Sequence, residues 1–252
     1  MIQFSGKVVV VTGAAHGQGA AEVALLAELG ARVVAADIDE AGAHAVIKGL
    51  DATGALALKL DVADEDSWRA LCKATLHAFG RIDALVNNAG IFRKLSLLEA
   101  DLSQVRDLIA VNQMGCYFGH RTVGRVMRDS NGGSIVNVAS VAALAPGEQS
   151  SVYGMTKAAV VNLTKGAALE FAPTIRVNCV LPGAIDTAML SPESHGFFQN
   201  IPLQRIGTPR EMAQAVAFFA SDASAYCTGT TLVVDGGWTL PLTARSFAKL
   251  AQ

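Results

Sequence analysis

This chain of 252 residues is short of charge and of proline, and its few cysteines are scattered; each shortage narrows what it can be. Charged residues are 17% of the total against 51% hydrophobic, a balance that excludes a disordered chain and requires a large buried core. The formal net charge of −2 leaves no basic footprint for nucleic acid and no polybasic stretch for anionic lipid. Cys72, Cys116, Cys179 and Cys227 lie far apart, with neither Cys-x-x-Cys nor Cys/His ligand spacing. No metal site is expected from them, and they read as buried, reduced thiols. No apolar stretch reaches about 18 residues without a polar break, and the first residues lack a basic n-region with a small-residue cleavage site. The expectation is a soluble, cytoplasmic protein that engages neither membrane nor nucleic acid.

What the chain does have is alternation. Near-continuous apolar runs of strand length fall at 7–11, 31–36, 56–60, 84–86, 134–138, 175–180 and 231–234, with segments of helical periodicity between them. Uninterrupted apolar strands are covered on both faces, so the pattern predicts an α/β protein: a doubly wound parallel sheet with helices on each side and right-handed crossovers. No Pro/Ser linker, low-complexity tract or internal repeat divides the sequence, and residues 1–252 read as a single domain. The longest irregular stretch, 182–209, holds Pro182, Pro192, Pro202 and Pro209 and reads as an inserted loop or short-helix lid at about 184–208.

Three groups of residues carry chemistry. Thr12-Gly13-Ala14-Ala15-His16-Gly17-Gln18-Gly19 follows the first strand and opens a helix. Glycine admits a ligand close to the backbone, and the amides and positive dipole end of the following helix stabilise a pyrophosphate; a simple strand-to-helix turn is the other reading. Asp37 ends the second strand, where a carboxylate accepts hydrogen bonds from an adenosine ribose and repels a 2′-phosphate. Neither His16 nor Ile38 supplies the Arg or Lys that would neutralise that phosphate, and Arg32 lies at the far end of the strand. NAD is therefore expected over NADP, with capping of the helix before Glu40 as the alternative role for Asp37. Tyr153 and Lys157, four residues apart, share one helix face, and Ser140 lies thirteen residues upstream. A cation within hydrogen-bonding range of a tyrosine favours its phenolate, and Ser140 offers a neutral hydrogen bond to a substrate oxygen. Taken alone, the pair also fits a core tyrosine and an exposed lysine on an ordinary helix.

Together these segments resemble the classical branch of the short-chain dehydrogenase/reductase family over essentially the whole chain. Residues 12–19 fit its Thr-Gly-x-x-x-Gly-x-Gly loop, Asn87-Asn88-Ala89-Gly90 fits its Asn-Asn-Ala-Gly segment after strand four, and Pro182-Gly183 follows strand six. Asn112, Ser140, Tyr153 and Lys157 fill its catalytic positions. The resemblance implies a Rossmann-like, doubly wound three-layer αβα sandwich around a mostly parallel seven-stranded sheet. It implies cofactor contacts from Gly13, His16, Gly17, Gln18 and Gly19 in the loop, from Asp37 and Ile38, and from Asp61 and Val62 at the adenine. Asn88, Ala89 and Gly90 are implied on the adenosine side, and Pro182, Gly183, Ile185 and Thr187 toward the nicotinamide, with Tyr153 and Lys157 themselves. Asn87 is expected to bridge strands. Asp61 could instead cap the next helix, and Thr187 could be a turn residue. Gln18 departs from the family, which usually has an aliphatic residue there, and Ala139 stands where a second serine is common.

The activity so implied is reversible NAD(H)-linked hydride transfer between a secondary alcohol and a ketone. Tyr153 exchanges the carbinol proton, Lys157 holds the nicotinamide ribose and favours the phenolate, and Ser140 stabilises the reacting oxygen. Asn112 anchors a water between Lys157 and solvent, or satisfies buried backbone groups. The pocket draws on 91–94, 141–149 and 184–198, contributing Ile91, Phe92, Val141, Leu144, Met189, Leu190, Phe197 and Phe198. That lining points to an apolar cyclic, aromatic or steroid-like substrate unless Arg93 and Lys94 face inward. Dihydrodiol or polyol oxidation is the alternative. Enoyl reduction is disfavoured because those relatives space Tyr and Lys by six residues, and a non-catalytic NAD-binding sensor because both residues are kept. The resemblance also implies a homotetramer, paired through helices at 102–126 and 152–171 and a last strand at 232–238, with 238–252 a candidate cover for a neighbouring subunit's pocket.

Overall fold

Four consecutive valines set the centre of the sheet. In this computed structural model, which describes residues 2–50, 54–190 and 201–240, they open β1 (Val8–Thr12), buried throughout. There follow α1 (Gly17–Glu28), β2 (Arg32–Asp37), α2 (Glu40–Lys48), β3 (Ala55–Lys59), α3 (Glu65–Phe79), β4 (Ala84–Asn87), α4 (Leu102–Leu108), α5 (Gly115–Arg128), β5 (Gly133–Val138), α6 (Ser151–Phe171), β6 (Ile175–Pro182), α7 (Pro209–Ala220) and β7 (Thr231–Val234). All seven expected strands are present, each within two residues of its expected bounds. They form one sheet in the order β3-β2-β1-β4-β5-β6-β7, with every pair parallel.

Side chains alternate across a strand, so the valines of β1 feed two cores. Val8 and Val10 pack with Trp68 and Leu71 of α3, Val123 and Met127 of α5 and Ala167 of α6. Val9 and Val11 pack with Val23 and Leu26 of α1 and Ala213 and Val216 of α7. The result is three layers, helices on both faces of a sheet whose central strands β1 and β4 are buried throughout, while the edge strands β3 and β7 keep exposed residues. From β1 the chain builds outward through β2 and β3, then returns to β4 on the other flank of β1. At such a reversal, the loops leaving the carboxyl ends of the two central strands diverge and open a crevice.

The helix expected at 102–126 is interrupted. α4 stops at Leu108, a π-helical turn spans Ile109–Met114, and α5 resumes at Gly115. The physical reason lies in Asn112, buried within that turn, whose side-chain amide binds both backbone groups of Ile91. A π turn admits an extra residue into the helix and is often found at functional sites.

The neck of the expected lid is closed: the Asp186 N–H donates to the Gly207 carbonyl and the Gly207 N–H to the Ala184 carbonyl, both at 2.9 Å. Phe197 and Phe198, and the C-terminal residues proposed to cover a neighbour's pocket beyond 240, lie outside the described residues. Cys72, Cys116 and Cys179 are buried and Cys227 half-buried, all free. Burial pushes the Cys72 and Cys179 thiols up to about 11 and Cys116 to about 12, which leaves them poor nucleophiles near neutrality. No described helix is long and apolar enough to cross a membrane.

Candidate active site

α1 begins without a capping side chain. The His16 side chain at its N-cap makes no hydrogen bond to the first turn, whereas Asp39, Asp64, Asp101 and Thr208 cap α2, α3, α4 and α7. An uncapped N-terminus offers its amides and dipole to an anion. Gly13 and Gly17 have φ of 65° and 55°, a region other residues avoid. A Cβ on Gly13 would lie 2.9 Å from the Ala89 Cα, one on Gly17 3.2 Å from the Thr187 Cγ2, and one on Gly19 would overlap the Gly13 carbonyl. The glycine loop, the β4 exit and the β6 exit therefore meet at one place. Asn88 reinforces it: its Nδ2 donates to the Thr12 carbonyl at 2.9 Å and the Gly13 carbonyl at 3.3 Å. The amides of Asn88 and Ala89 donate to the Thr12 hydroxyl at 3.1 and 3.0 Å. On the far side, the Gly183 N–H donates to the Val234 carbonyl at 3.0 Å, Ile185 is buried, and the Thr187 hydroxyl makes a long turn bond to the Ile185 carbonyl at 3.5 Å.

Asp37 does not cap α2; Asp39 does, accepting from the Gly42 N–H at 3.0 Å. Instead the two Asp37 oxygens accept from the Ala15 and Asp39 amides, each at 2.9 Å, which fixes the carboxylate against the glycine loop. Each oxygen retains further accepting capacity. Ile38 is exposed beside it, and Arg32 lies over the Phe79 ring at the other end of β2. Lys59 of β3 is the register partner of Asp37, a cation that becomes a neighbour only through strand pairing. Asp61 likewise is not a helix cap: Asp64 caps α3, while Asp61 accepts from the Ala63 N–H at 2.9 Å and its own N–H donates to the Ser67 hydroxyl. Val62 is buried beside it, its carbonyl accepting from the Trp68 indole at 3.0 Å.

α6 carries Tyr153 and Lys157 on one face, with the Lys157 Nζ 5.8 Å from the Tyr153 ring centroid. Lys157 is buried, and its ammonium donates to the Val138 carbonyl at 2.9 Å. Ser140 begins a short 3-10 turn, Val141–Ala143, and its Oγ accepts from the Ala142 N–H at 3.1 Å, so the hydroxyl can still donate elsewhere. That turn presses on α6 where the helix is bare: a Cβ on Gly154 would stand 2.7 Å from the Ala142 carbonyl oxygen. Asn112 accepts from the Ile91 N–H at 2.8 Å and donates to the Ile91 carbonyl at 2.9 Å and to the Thr156 hydroxyl at 3.2 Å. Thr156 passes the link on, donating to the Tyr153 carbonyl at 2.7 Å. A Cβ on Gly90 would meet both the Lys157 Nζ and the Asn112 Oδ1 at 3.2 Å. The Phe92 ring packs edge-on against Tyr153, centroids 5.1 Å apart.

Behind this group, Asn137 of β5 uses its whole amide. Its Oδ1 accepts from the Asn87 Nδ2 and the Cys116 thiol, and its Nδ2 reaches His120 Nε2 at 3.2 Å and the Thr164 hydroxyl at 2.9 Å. Burial pushes His120 down to about 4, keeping it neutral in this network. Asn87 thus bridges β4 and β5, as expected. A cavity of about 10 Å³ lies between Thr12, Asn87, Asn112, Cys116 and Lys157, room for about one water. The anchors Thr12, Asn137 and Thr156 escaped the sequence, although Thr12 opens the quoted glycine loop and Thr156 lies between Tyr153 and Lys157. Gln18 is half-buried with its Oε1 unpartnered among the described residues.

These placements have counterparts in known proteins. A family model described as enoyl-(acyl carrier protein) reductase matches residues 13–239. Trans-4-hydroxycyclohexanecarboxylate dehydrogenase of Sinomonas cyclohexanicum is 39% identical over 242 residues, covering 92% of this chain and 93% of its own. The 3-alpha-(or 20-beta)-hydroxysteroid dehydrogenase of Mycobacterium tuberculosis is 38% identical over 247 residues, covering 97% of this chain and 94% of its own. The crystal structure of levodione reductase matches with a TM-score of 0.89 at 34% identity, over 95% of this chain and all of that one. Fold, motif order and relatives of nearly full length agree, and this chain belongs to the short-chain dehydrogenase/reductase family of oxidoreductases.

Proposed function

We propose that the protein is an NAD(H)-dependent dehydrogenase that interconverts a secondary alcohol and a ketone on an apolar ring. The observation that carries this reading is the meeting of Lys157 and Asn112 at Gly90, in a crevice whose other wall is the uncapped start of α1. The crevice fits a dinucleotide: the amides of 17–19 suit a pyrophosphate, Asp37 a ribose, Asp61 and Val62 an adenine, and 182–187 a carboxamide. A nicotinamide bound there supplies the acceptor for the hydride. Asp37, with no cation on its own strand end, favours a free ribose hydroxyl over a 2′-phosphate.

The chain's own groups handle the proton. Tyr153, partly exposed, takes it from the carbinol oxygen and returns it in the reverse direction. Negative charge on the Tyr153 oxygen is stabilised by the Lys157 ammonium on the same helix face. Ser140 donates to the reacting oxygen as it gains charge. Asn112 holds Ile91 in place and, through Thr156, steadies the turn of α6 that carries Tyr153.

The apolar lining from Phe92, Val141 and Leu144, and relatives named for cyclohexane and steroid alcohols, support a ring substrate. Enoyl reduction, named in the family model's description, is the second reading. The four-residue spacing of Tyr153 and Lys157 speaks against it, since enoyl-reducing relatives use six. Exposed Tyr117, Met155 and Leu169 on α5 and α6, and exposed Leu232 and Val233 on the edge strand β7, support assembly into a homotetramer. Ring alcohols offered with NAD⁺ or NADP⁺, read by cofactor absorbance, test the reading. Oxidation with NAD⁺ supports it, and turnover confined to enoyl thioesters overturns it.

A further inference from the structure

The strap of residues 91–95 runs between two fixed points. Asn112 holds Ile91 through both backbone groups, at 2.8 and 2.9 Å. At the other end Leu95 is buried, and its N–H donates at 2.8 Å to the carbonyl of Gln149, on the loop that precedes α6. Between them Phe92 meets the reacting Tyr153 edge-on. Arg93 and Lys94 follow Phe92 directly, so the strap carries two cations from the wall beside Tyr153 to the rim formed with the 141–149 segment.

Both cations are exposed, and neither makes an ion pair or hydrogen bond among the described residues. Elsewhere on the surface Arg81, Arg205 and Arg210 are each paired with a carboxylate. The neighbouring acids do not serve that purpose here. Asp101 accepts from the Ser103 N–H to cap α4, and Glu99 and Glu148 form no ion pair with Arg93 or Lys94. An arginine's planar fork beside a lysine's point charge is a donor set for a carboxylate.

We propose that Arg93 and Lys94 recognise an anionic substituent on the substrate ring, remote from the carbinol, so that the preferred substrate is a ring alcohol bearing a carboxylate. This rests on the secondary-alcohol reading above. The ring packs against Phe92 with its hydroxyl at Tyr153, and its carboxylate reaches the rim. Because the cations are exposed, salt screens the attraction, and the gain in kcat/KM is roughly five- to tenfold, carried by KM.

The probes are a cyclohexanol bearing a 4-carboxylate and its neutral methyl ester, oxidised by the full chain and by Arg93→Gln, Lys94→Gln and the double variant. The expected result is a preference for the acid, read as the ratio of kcat/KM for acid over ester, that weakens with added salt and disappears in the double variant. Equal kcat/KM for acid and ester in the unaltered protein, or a preference that survives in the double variant, overturns the proposal and leaves the secondary-alcohol reading standing. Failure to oxidise either probe or any other ring alcohol overturns both.

Discussion

The Lys157 ammonium donates to the Val138 carbonyl at 2.9 Å, so the end of β5 holds the cation of the tyrosine–lysine pair two residues before it delivers Ser140. One strand end thus holds the lysine and leads into the serine of the proposed proton-transfer group. Replacing Tyr153 by Phe keeps the ring against Phe92 and removes only the oxygen. Loss of a general acid–base costs about 10²- to 10⁴-fold, so kcat is expected to fall by at least about 10² while the cofactor dissociation constant stays within the same order of magnitude. Stopped-flow turnover and titration of cofactor by protein fluorescence check both. Turnover close to that of the unaltered protein would remove Tyr153 from the reaction.

Asp37→Ala tests cofactor choice. Two amides, from Ala15 and Asp39, fix the carboxylate beside the loop, and Lys59 is its register partner on β3. Removing the carboxylate would delete the acceptor proposed for the ribose and the charge proposed to repel a 2′-phosphate, with Lys59 and Asp39 the charged neighbours that remain. The ratio of kcat/KM for NAD⁺ over NADP⁺ is expected to fall by about tenfold or more, the scale of one charge-assisted hydrogen bond. An unchanged ratio would deny Asp37 its part in selection.

Much of this was legible in the sequence, and the reason is physical. Strands covered on both faces write themselves as apolar runs, which is why Val8 to Val11 and the other central strands were legible, and the partly exposed edge strands β3 and β7 were apolar enough to be placed within two residues as well. Glycines at 13, 17 and 19 were legible because a close approach tolerates nothing larger. What the sequence hid were relationships across the sheet. Lys59 becomes Asp37's neighbour only through the β2–β3 register, and Asn137 becomes a hub only when β4, α5 and α6 surround it. The π turn was hidden too, since periodicity does not reveal that Asn112 would be drawn inward to Ile91. The capping roles considered for Asp37 and Asp61 fell to Asp39 and Asp64, two and three residues on, because a cap is fixed by where the helix starts.

Gly154→Ala probes how Ser140 is placed. Its Cβ would come within 2.7 Å of the Ala142 backbone carbonyl, too close for a real contact, so the turn after Ser140 must shift away from α6. Overpacking of this kind costs about 1–3 kcal/mol of stability, and misplacing a catalytic group by about 1 Å costs about 10²-fold in rate. Urea unfolding and kcat together check the expectation. A variant of ordinary stability and rate would mean that the turn adapts and that Gly154 does not set the position of Ser140.

Glu22 gives a prediction in pH. It is fully buried in α1 with neither oxygen hydrogen-bonded among the described residues, and burial pushes its carboxyl up to about 8. Gln18, one turn earlier on the same face, has a buried, unpartnered Oε1. A carboxylate can only accept, so only protonated Glu22 could serve such an acceptor. The sign follows from proton counting. The unfolded chain releases this proton near the ordinary carboxyl value of 4.5, the folded chain only near 8, so between them the folded state binds more protons. Its contribution to stability is fully present below 4.5 and is lost as pH rises toward 8. Glu22→Gln abolishes that titration. The stability of the variant relative to the unaltered protein is therefore expected to rise by on the order of 3 kcal/mol between pH 4.5 and 7, measured by urea unfolding at both pH values. A difference that does not change with pH would mean that Glu22 is already ionised in the fold, and that a partner must be holding its charge.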